Sequence, residues 1–429
     1  MKILSSLNLE NYFKDYNLIY FILLSFCLGS FFINLSLTLC LLIFFIRLKI
    51  VKIYINQFKF IFYLLISFWV IFVVSTVINS PNDFKIIFKS FAHIRFMILP
   101  FVIIYMMQYV DKKKLIIFLN LIVIFLILDV FFQFYYKFDI FGYELSDLGN
   151  PRMDRISGFF GTELVAGTYL SLFGFLALFL LKEFKLFKNE VTAFTIYLLT
   201  LISAIIITGD RVGILFILGI IIFNIIFNNY FRKYFIAIFL IFGLVSFFVI
   251  KNVETLSERY FKKFDPILKT NFFNNPSYDG ILNSPWISHY LVSWEMTKEK
   301  PLLGFGNKGF RKYCLKYEHK EKISDYKYKC TSHPHNTYFE ILVETGFIGL
   351  IIFLILNLNI FIKVLKANNQ SLYLIYSIIF TILNPIRPSG SFFTTWNGGI
   401  FWIIFGILLY FLFKSSNNLH EKNFNNNYS

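Results

Sequence analysis

Charge is scarce in this chain. Only 15% of its 429 residues are Asp, Glu, Lys or Arg, and acidic residues (25) are far fewer than basic ones (41). Several chemical signatures are missing as well. There is no Gly-rich Walker loop, which excludes ATP as the energy source. No Asp-x-Asp pair occurs in a loop, so a divalent-metal sugar-transfer site has no support. No Gly-x-Ser-x-Gly elbow is present, which argues against a serine hydrolase. No internal repeat is visible, and the only biased segment is the Asn-rich tail. The amino terminus, MKILSSLNLENYFKDYN, is too polar to be the core of a signal peptide, and the apolar run from Leu18 is long enough to be a span.

Apolar residues fill the space. They make up 57% of the chain, 59 of them Phe, and mean hydropathy is +0.65. Soluble domains sit closer to ~45–50% apolar. Windows of ~20 residues predict about twelve transmembrane helices, near 17–31, 32–48, 60–79, 90–109, 114–136, 162–181, 191–208, 211–228, 233–251, 335–362, 370–386 and 395–413. The first two form one run interrupted at Gly29 and Ser30. The predicted fold class is therefore an all-α integral membrane protein. Residues 1–251 hold nine spans, 252–334 a large outer loop, 335–413 three more spans, and 414–429 a tail.

In a soluble protein a net charge of +16 would suggest nucleic acid. Here the basic residues recur at every second turn: Arg47, Lys49, Lys52 and Lys59; Lys112–Lys114; Lys182, Lys185 and Lys188; Arg232 and Lys233; Lys363 and Lys366. That is the positive-inside pattern. It places both termini in the cytoplasm, the 252–334 loop in the periplasm, and membrane lipids, not nucleic acid, around the chain. Within the loop, Leu256–Lys269 reads as an amphipathic helix. Trp286–Lys298 reads as a second helix, ended by Pro301, and 301–310 as a glycine-punctuated turn.

Two of the four cysteines, Cys27 and Cys40, lie in spans. Cys314 and Cys330 lie in the loop, where a disulfide is expected from the compartment. The rival reading is a metal site of Cys330, His333 and His335, for which no fourth ligand is evident; no metal and no cofactor are expected.

The most informative stretch is SHPHNTYFEILVETGFIGL (332–350), a polar loop turning directly into an apolar helix that carries Glu340 and Glu344. Ionisable residues in such a helix are costly and mark a site by default. His335 at its mouth is a general-base candidate, since its unperturbed pKa lies near neutrality. Glu344 is nine residues on, ~13 Å along the axis, and so supports the site rather than touching His335. Four arginines fall near the same membrane surface: Arg95, Arg155, Arg211 and Arg387. Guanidinium forks suit phosphate, so together they suggest an anionic headgroup such as a diphosphate. The plainer alternatives are that Arg211 pairs with Asp210 and caps a helix, that Arg155 is a loop charge, and that Arg95 and Arg387 snorkel to lipid. His93, His289 and His333 carry no spacing argument.

HNTYFEILVETG (335–346) resembles the signature of the O-antigen ligase family, whose members include ligases, O-antigen polymerases and some protein O-oligosaccharyltransferases. TGDRVG (208–213), RISGFFG (155–161) and SWEMTKEKPLLGFGNKGF (293–310) are similar to family segments in the same order. The family's arginine turn usually reads Ser-Arg; here it is Asp210-Arg211. The resemblance implies a GT-C-like fold in the bacterial inner membrane and metal-independent transfer of a glycan from undecaprenyl diphosphate to lipid A-core. His335 would be the base, with Arg211, Arg155 and Arg95 on the diphosphate, and Asn336, Glu344 and Arg387 in support. A polymerase uses the same donor. A polysaccharide transporter or flippase would bury charges mid-span and show repeat symmetry, and neither is visible.

Overall fold

The computed structural model describes residues 14–144, 155–185, 190–229, 231–257, 285–317, 330–386 and 390–426, with positions 260 and 388. Among these residues there is no strand; the extended backbone amounts to one isolated bridge between Phe138 and Glu144.

Each apolar stretch carries a helix. In chain order these are α1 (Leu18–Leu28), α2 (Ser30–Ile46), α3 (Leu48–Gln57), α4 (Lys59–Asn79), α5 (Phe84–Ala92), α6 (Ile94–Tyr109), α7 (Lys112–Tyr136), α8 (Ala166–Glu183), α9 (Glu190–Ile207), α10 (Arg211–Phe227) and α11 (Arg232–Asn252). They continue with α12 (Pro285–Glu299), α13 (Gly309–Tyr313), α14 (Thr337–Ala367), α15 (Gln370–Ile382) and α16 (Thr395–Asn426). About twelve spans were expected. Among the described residues seven helices are long and apolar enough to cross a membrane alone, and α2 with α3 makes an eighth. The remaining apolar helices, including α10 and α15, have 10–17 residues and fall at or below the ~17 needed to span. This is the build of a multi-pass membrane protein.

Neighbouring helices alternate in direction, so Arg47, Lys112–Lys114, Lys182 and Lys366 gather at one end of the bundle. That end is called the basic end here, and the other the site end. The α2–α3 pair turns through 93° at Arg47. Arg47 sits there because its Nε donates to Asp15 (2.6 Å), which also accepts from the Tyr105 hydroxyl (2.7 Å). Beyond the corner, α3 is amphipathic: Val51 and Tyr54 are buried while Lys49 and Lys52 face out. Gly29 (φ 100°) breaks α1 from α2, a backbone conformation that suits glycine.

One apolar core runs through the bundle, from Ile19 to Leu412. A smaller one (Val292, Met296, Phe305, Phe310, Cys314, Tyr317 and Val343) fastens the described part of the outer loop onto the start of α14. The helix expected over Trp286–Lys298 is α12; the one expected over Leu256–Lys269 lies almost wholly outside the described residues.

Candidate active site

The entry to α14 is held by Asn336. Its Oδ1 accepts from the backbone N–H groups of Tyr338 (2.9 Å) and Phe339 (3.2 Å), satisfying donors that a helix start leaves open. Its Nδ2 donates to the Pro385 carbonyl (2.8 Å), and the Tyr338 hydroxyl donates to the Leu383 carbonyl (2.6 Å). The helix start is thereby tied to the end of α15. His335, the residue before the cap, adopts φ 55°, a left-handed backbone that non-glycine residues seldom hold. Such outliers persist where the surroundings fix them, and they concentrate at functional sites. The half-buried His335 ring packs on His333 (centroids 4.2 Å) and on His289 of α12 (5.6 Å). His289 is only 2% exposed, and next to it Tyr290 stacks flat on Phe339 at 5.1 Å. Sequence reading set His289 and His333 aside; the fold gathers both around His335.

The helix that begins here does not run straight into the bundle. It breaks at Gly346 (φ 65°, ψ −171°). Residues 301–306 insert a strap into the break. The N–H groups of Phe305 and Gly306 donate to the freed carbonyls of Val343 (2.7 Å) and Glu344 (2.9 Å), and the freed N–H groups of Phe347 and Ile348 donate to the carbonyls of Pro301 (2.7 Å) and Leu302 (3.3 Å). These four groups opened by the kink are re-satisfied, as irregular backbone near lipid requires. The fit is close: a Cβ on Gly346 would lie 2.1 Å from the Leu302 carbonyl oxygen. The end of α4 clamps the strap, with Asn79 donating to the Gly304 carbonyl (3.0 Å), Thr76 Oγ1 accepting from Asn307 N–H (2.9 Å) and Ser75 donating to the Glu344 carbonyl (3.0 Å).

From Phe347 to Ala367 is ~31 Å of helix, a full bilayer core by itself. The Thr337–Thr345 half is therefore an entry helix above that span, and both glutamates ride on it. Glu340 accepts from Ser391 and from Phe392 N–H (2.7 Å) at the start of α16. Glu344, 4% exposed, faces the Lys308 backbone N–H and the charges of Lys308 and Arg311. The loop supplies these groups. Burial, with Lys89 and Arg311 close by, lowers the Lys308 pKa from its ordinary value.

The arginines are placed as follows. Arg211 opens α10. Asp210 caps that helix through Val212 N–H (3.2 Å) and accepts from the Thr168 hydroxyl (2.8 Å). Asp210 also pairs with Arg155 at 3.2 Å, and Arg155 donates to the Leu164 carbonyl (2.6 Å). So the TGDRVG turn and the RISGFFG segment meet. The α8 and α10 backbones touch where they do because glycines face each other: a Cβ on Gly213 would lie 2.7 Å from Gly167. Arg95, at the start of α6, donates to Asn34 of α2 (2.7 Å), whose Oδ1 also takes the Thr395 hydroxyl (3.2 Å). Arg387 lies outside the described residues.

Cys314 and Cys330 are joined in a disulfide, Cα atoms 5.7 Å apart. The Cys330 sulfur is thus unavailable as a metal ligand, and no group of three or more His, Cys, Asp or Glu suited to a metal occurs among the described residues.

Residues 196–354 match the O-antigen ligase family model. Over that stretch, less than half of its length, the chain is similar to the O-antigen ligase family. The matched segment contains Asp210, Arg211, the strap, His289, His335 and the entry helix, whereas Arg95 and Arg155 precede it. No curated relative matches the sequence.

Proposed function

We propose that this chain is a ligase-type glycosyltransferase of the inner membrane. It moves a glycan from undecaprenyl diphosphate to a sugar hydroxyl of lipid A-core, with the site facing the periplasm and no metal taking part. The observation that carries this reading is that one family-matched segment contains both a strained histidine at a capped helix entry and an arginine at a helix start. In this mechanism His335 removes the acceptor proton as the hydroxyl oxygen attacks the donor sugar. The bond to the diphosphate breaks, and Arg211 with Arg155 offsets the charge that develops there. The start of α10 adds the favourable end of a helix dipole for that anion. Arg95, fixed by Asn34, lines the same end of the bundle. Asn336 holds the base in register, and Glu344 serves the strap and not the proton. The outer loop covers the reaction and keeps water from the donor.

The test is the glycolipid profile of a deletion strain. Long lipid-linked glycan with a bare core is the expected result. A core capped by one repeat unit would instead identify a polymerase, and an unchanged profile would remove both readings.

A further inference from the structure

The 26 residues from Phe84 to Tyr109 run as one helical unit. At 1.5 Å per residue that is ~39 Å, longer than the ~30 Å bilayer core, and the Tyr109 end is anchored beside Lys112–Lys114. The first two turns of α5 therefore stand at headgroup level on the site end. Phe84 (80% exposed) and Phe88 (74%) face outward there, and Lys85 and Lys89, one turn apart, are exposed beside them. This pairing of aromatic and basic side chains suits a bilayer boundary.

Lys89 reaches the side chain of Lys308, with Arg311 alongside. The Lys308 backbone is fixed: it holds a left-handed conformation (φ 60°) between Asn307, bonded to Thr76, and Gly309, whose N–H donates to the Gly306 carbonyl (2.9 Å). Among the described residues, the carboxylate facing Lys308 and Arg311 is Glu344, which is buried; Asp83, at the far end of α5, is occupied capping Ile86 (3.1 Å). Crowding like charges costs energy unless an anion offsets it. The exposed aromatic face beside the cluster specifies a lipid-borne anion in preference to a free one.

We propose that Lys89, Lys308 and Arg311 bind the phosphate groups of a membrane-anchored glycolipid, and that this lipid is the acceptor; the second clause rests on the transferase reading above. Glu344 and His335 sit at opposite ends of the same entry helix, ~13 Å apart along its axis. A phosphate on the cluster would hold a glycan whose hydroxyl reaches His335. The entry helix links the two, and Arg155 and Arg211 remain for the donor.

The test uses the full chain in detergent and four probes: bisphosphorylated lipid A, dephosphorylated lipid A, phosphatidylglycerol and inorganic phosphate. Wild type should prefer the phosphorylated lipid A by about tenfold, a difference worth ~1.4 kcal/mol. K89Q/K308Q/R311Q should lose that preference, and R311Q, an exposed single change, should lose part of it. H335A should bind as wild type does. Three results would overturn the site: an unchanged preference in the triple and single variants, equal losses for phosphatidylglycerol, or competition by inorganic phosphate as strong as that by lipid A. If the preference is lost as expected but wild type never glycosylates lipid A, the site stands and the transferase reading fails. If transfer occurs with an unchanged KM for lipid A in the variants, the site alone fails.

Discussion

Two groups of cations in this molecule are held in opposite ways. On the α8–α10 flank, Arg155 is locked by the Asp210 carboxylate at 3.2 Å and the Leu164 carbonyl at 2.6 Å, and Asp210 is itself spent on a helix cap and a threonine. On the α4–α5 flank, Lys308 and Arg311 share one buried carboxylate, Glu344, and Lys89 crowds Lys308. A cation fixed by a countercharge can present a guanidinium in one orientation, which suits a diphosphate that must leave along one line. A crowd of under-neutralised cations suits a headgroup held by charge. The molecule therefore offers a geometric grip and an electrostatic one.

That contrast can be broken at several points, ranked by effect on transfer. Gly346→Ala should abolish activity. The new Cβ meets the Leu302 carbonyl at 2.1 Å, and a positive φ strains any other residue, so the strap must leave the break. Loss of the folded protein in size-exclusion chromatography checks this, and normal behaviour would contradict it. Arg211→Lys keeps the charge but not the fork, and should lower single-turnover transfer about 10²-fold if bidentate phosphate binding is its role. Asp210→Asn should affect stability more than chemistry. It leaves Arg155 partly buried without its countercharge, a change that typically costs about 3 kcal/mol, visible as a lower Tm in detergent. The matching change on the other flank, Glu344→Gln, should sharpen the preference for anionic lipid, since Lys308 and Arg311 then lose the carboxylate that faces them. Replacing Cys314 and Cys330 by Ser should leave transfer nearly intact while removing up to ~3 kcal/mol of loop restraint, read as faster proteolysis between the two positions.

The sequence made the apolar frame legible because lipid imposes a length and a composition that no other environment does. The twelve hydrophobic stretches, the break at Gly29 and helix α12 were visible in this way, and so was the polar entry at His335. Helix α3 was not, because Arg47, Lys49, Lys52 and Lys59 made LKIVKIYINQ read as a basic turn; the bond from Arg47 to Asp15, 32 residues earlier, fixes the corner from which that helix leaves. The break at Gly346 was hidden for a different reason. Hydropathy continues through ETGFIG, so the entry helix and the span read as one, and both glutamates seemed to enter the membrane. Nothing local announces that residues 301–306 fill that break, since those hydrogen bonds join positions some forty residues apart. The grouping of His289 with His335 and of Lys89 with Lys308 is likewise a product of tertiary packing. The Asp210-Arg211 turn was recognisable, but the partner of Asp210 was not: the carboxylate turns to Arg155, a residue from a different segment.

The central claim is that His335 takes the acceptor proton. The most direct test compares wild type with His335→Ala in one purified assay that measures donor binding and single-turnover glycan transfer in the same sample. Donor affinity should stay unchanged while transfer falls about 10²–10⁴-fold, the range expected when a general base is removed. Transfer at the wild-type rate by the variant would contradict the account.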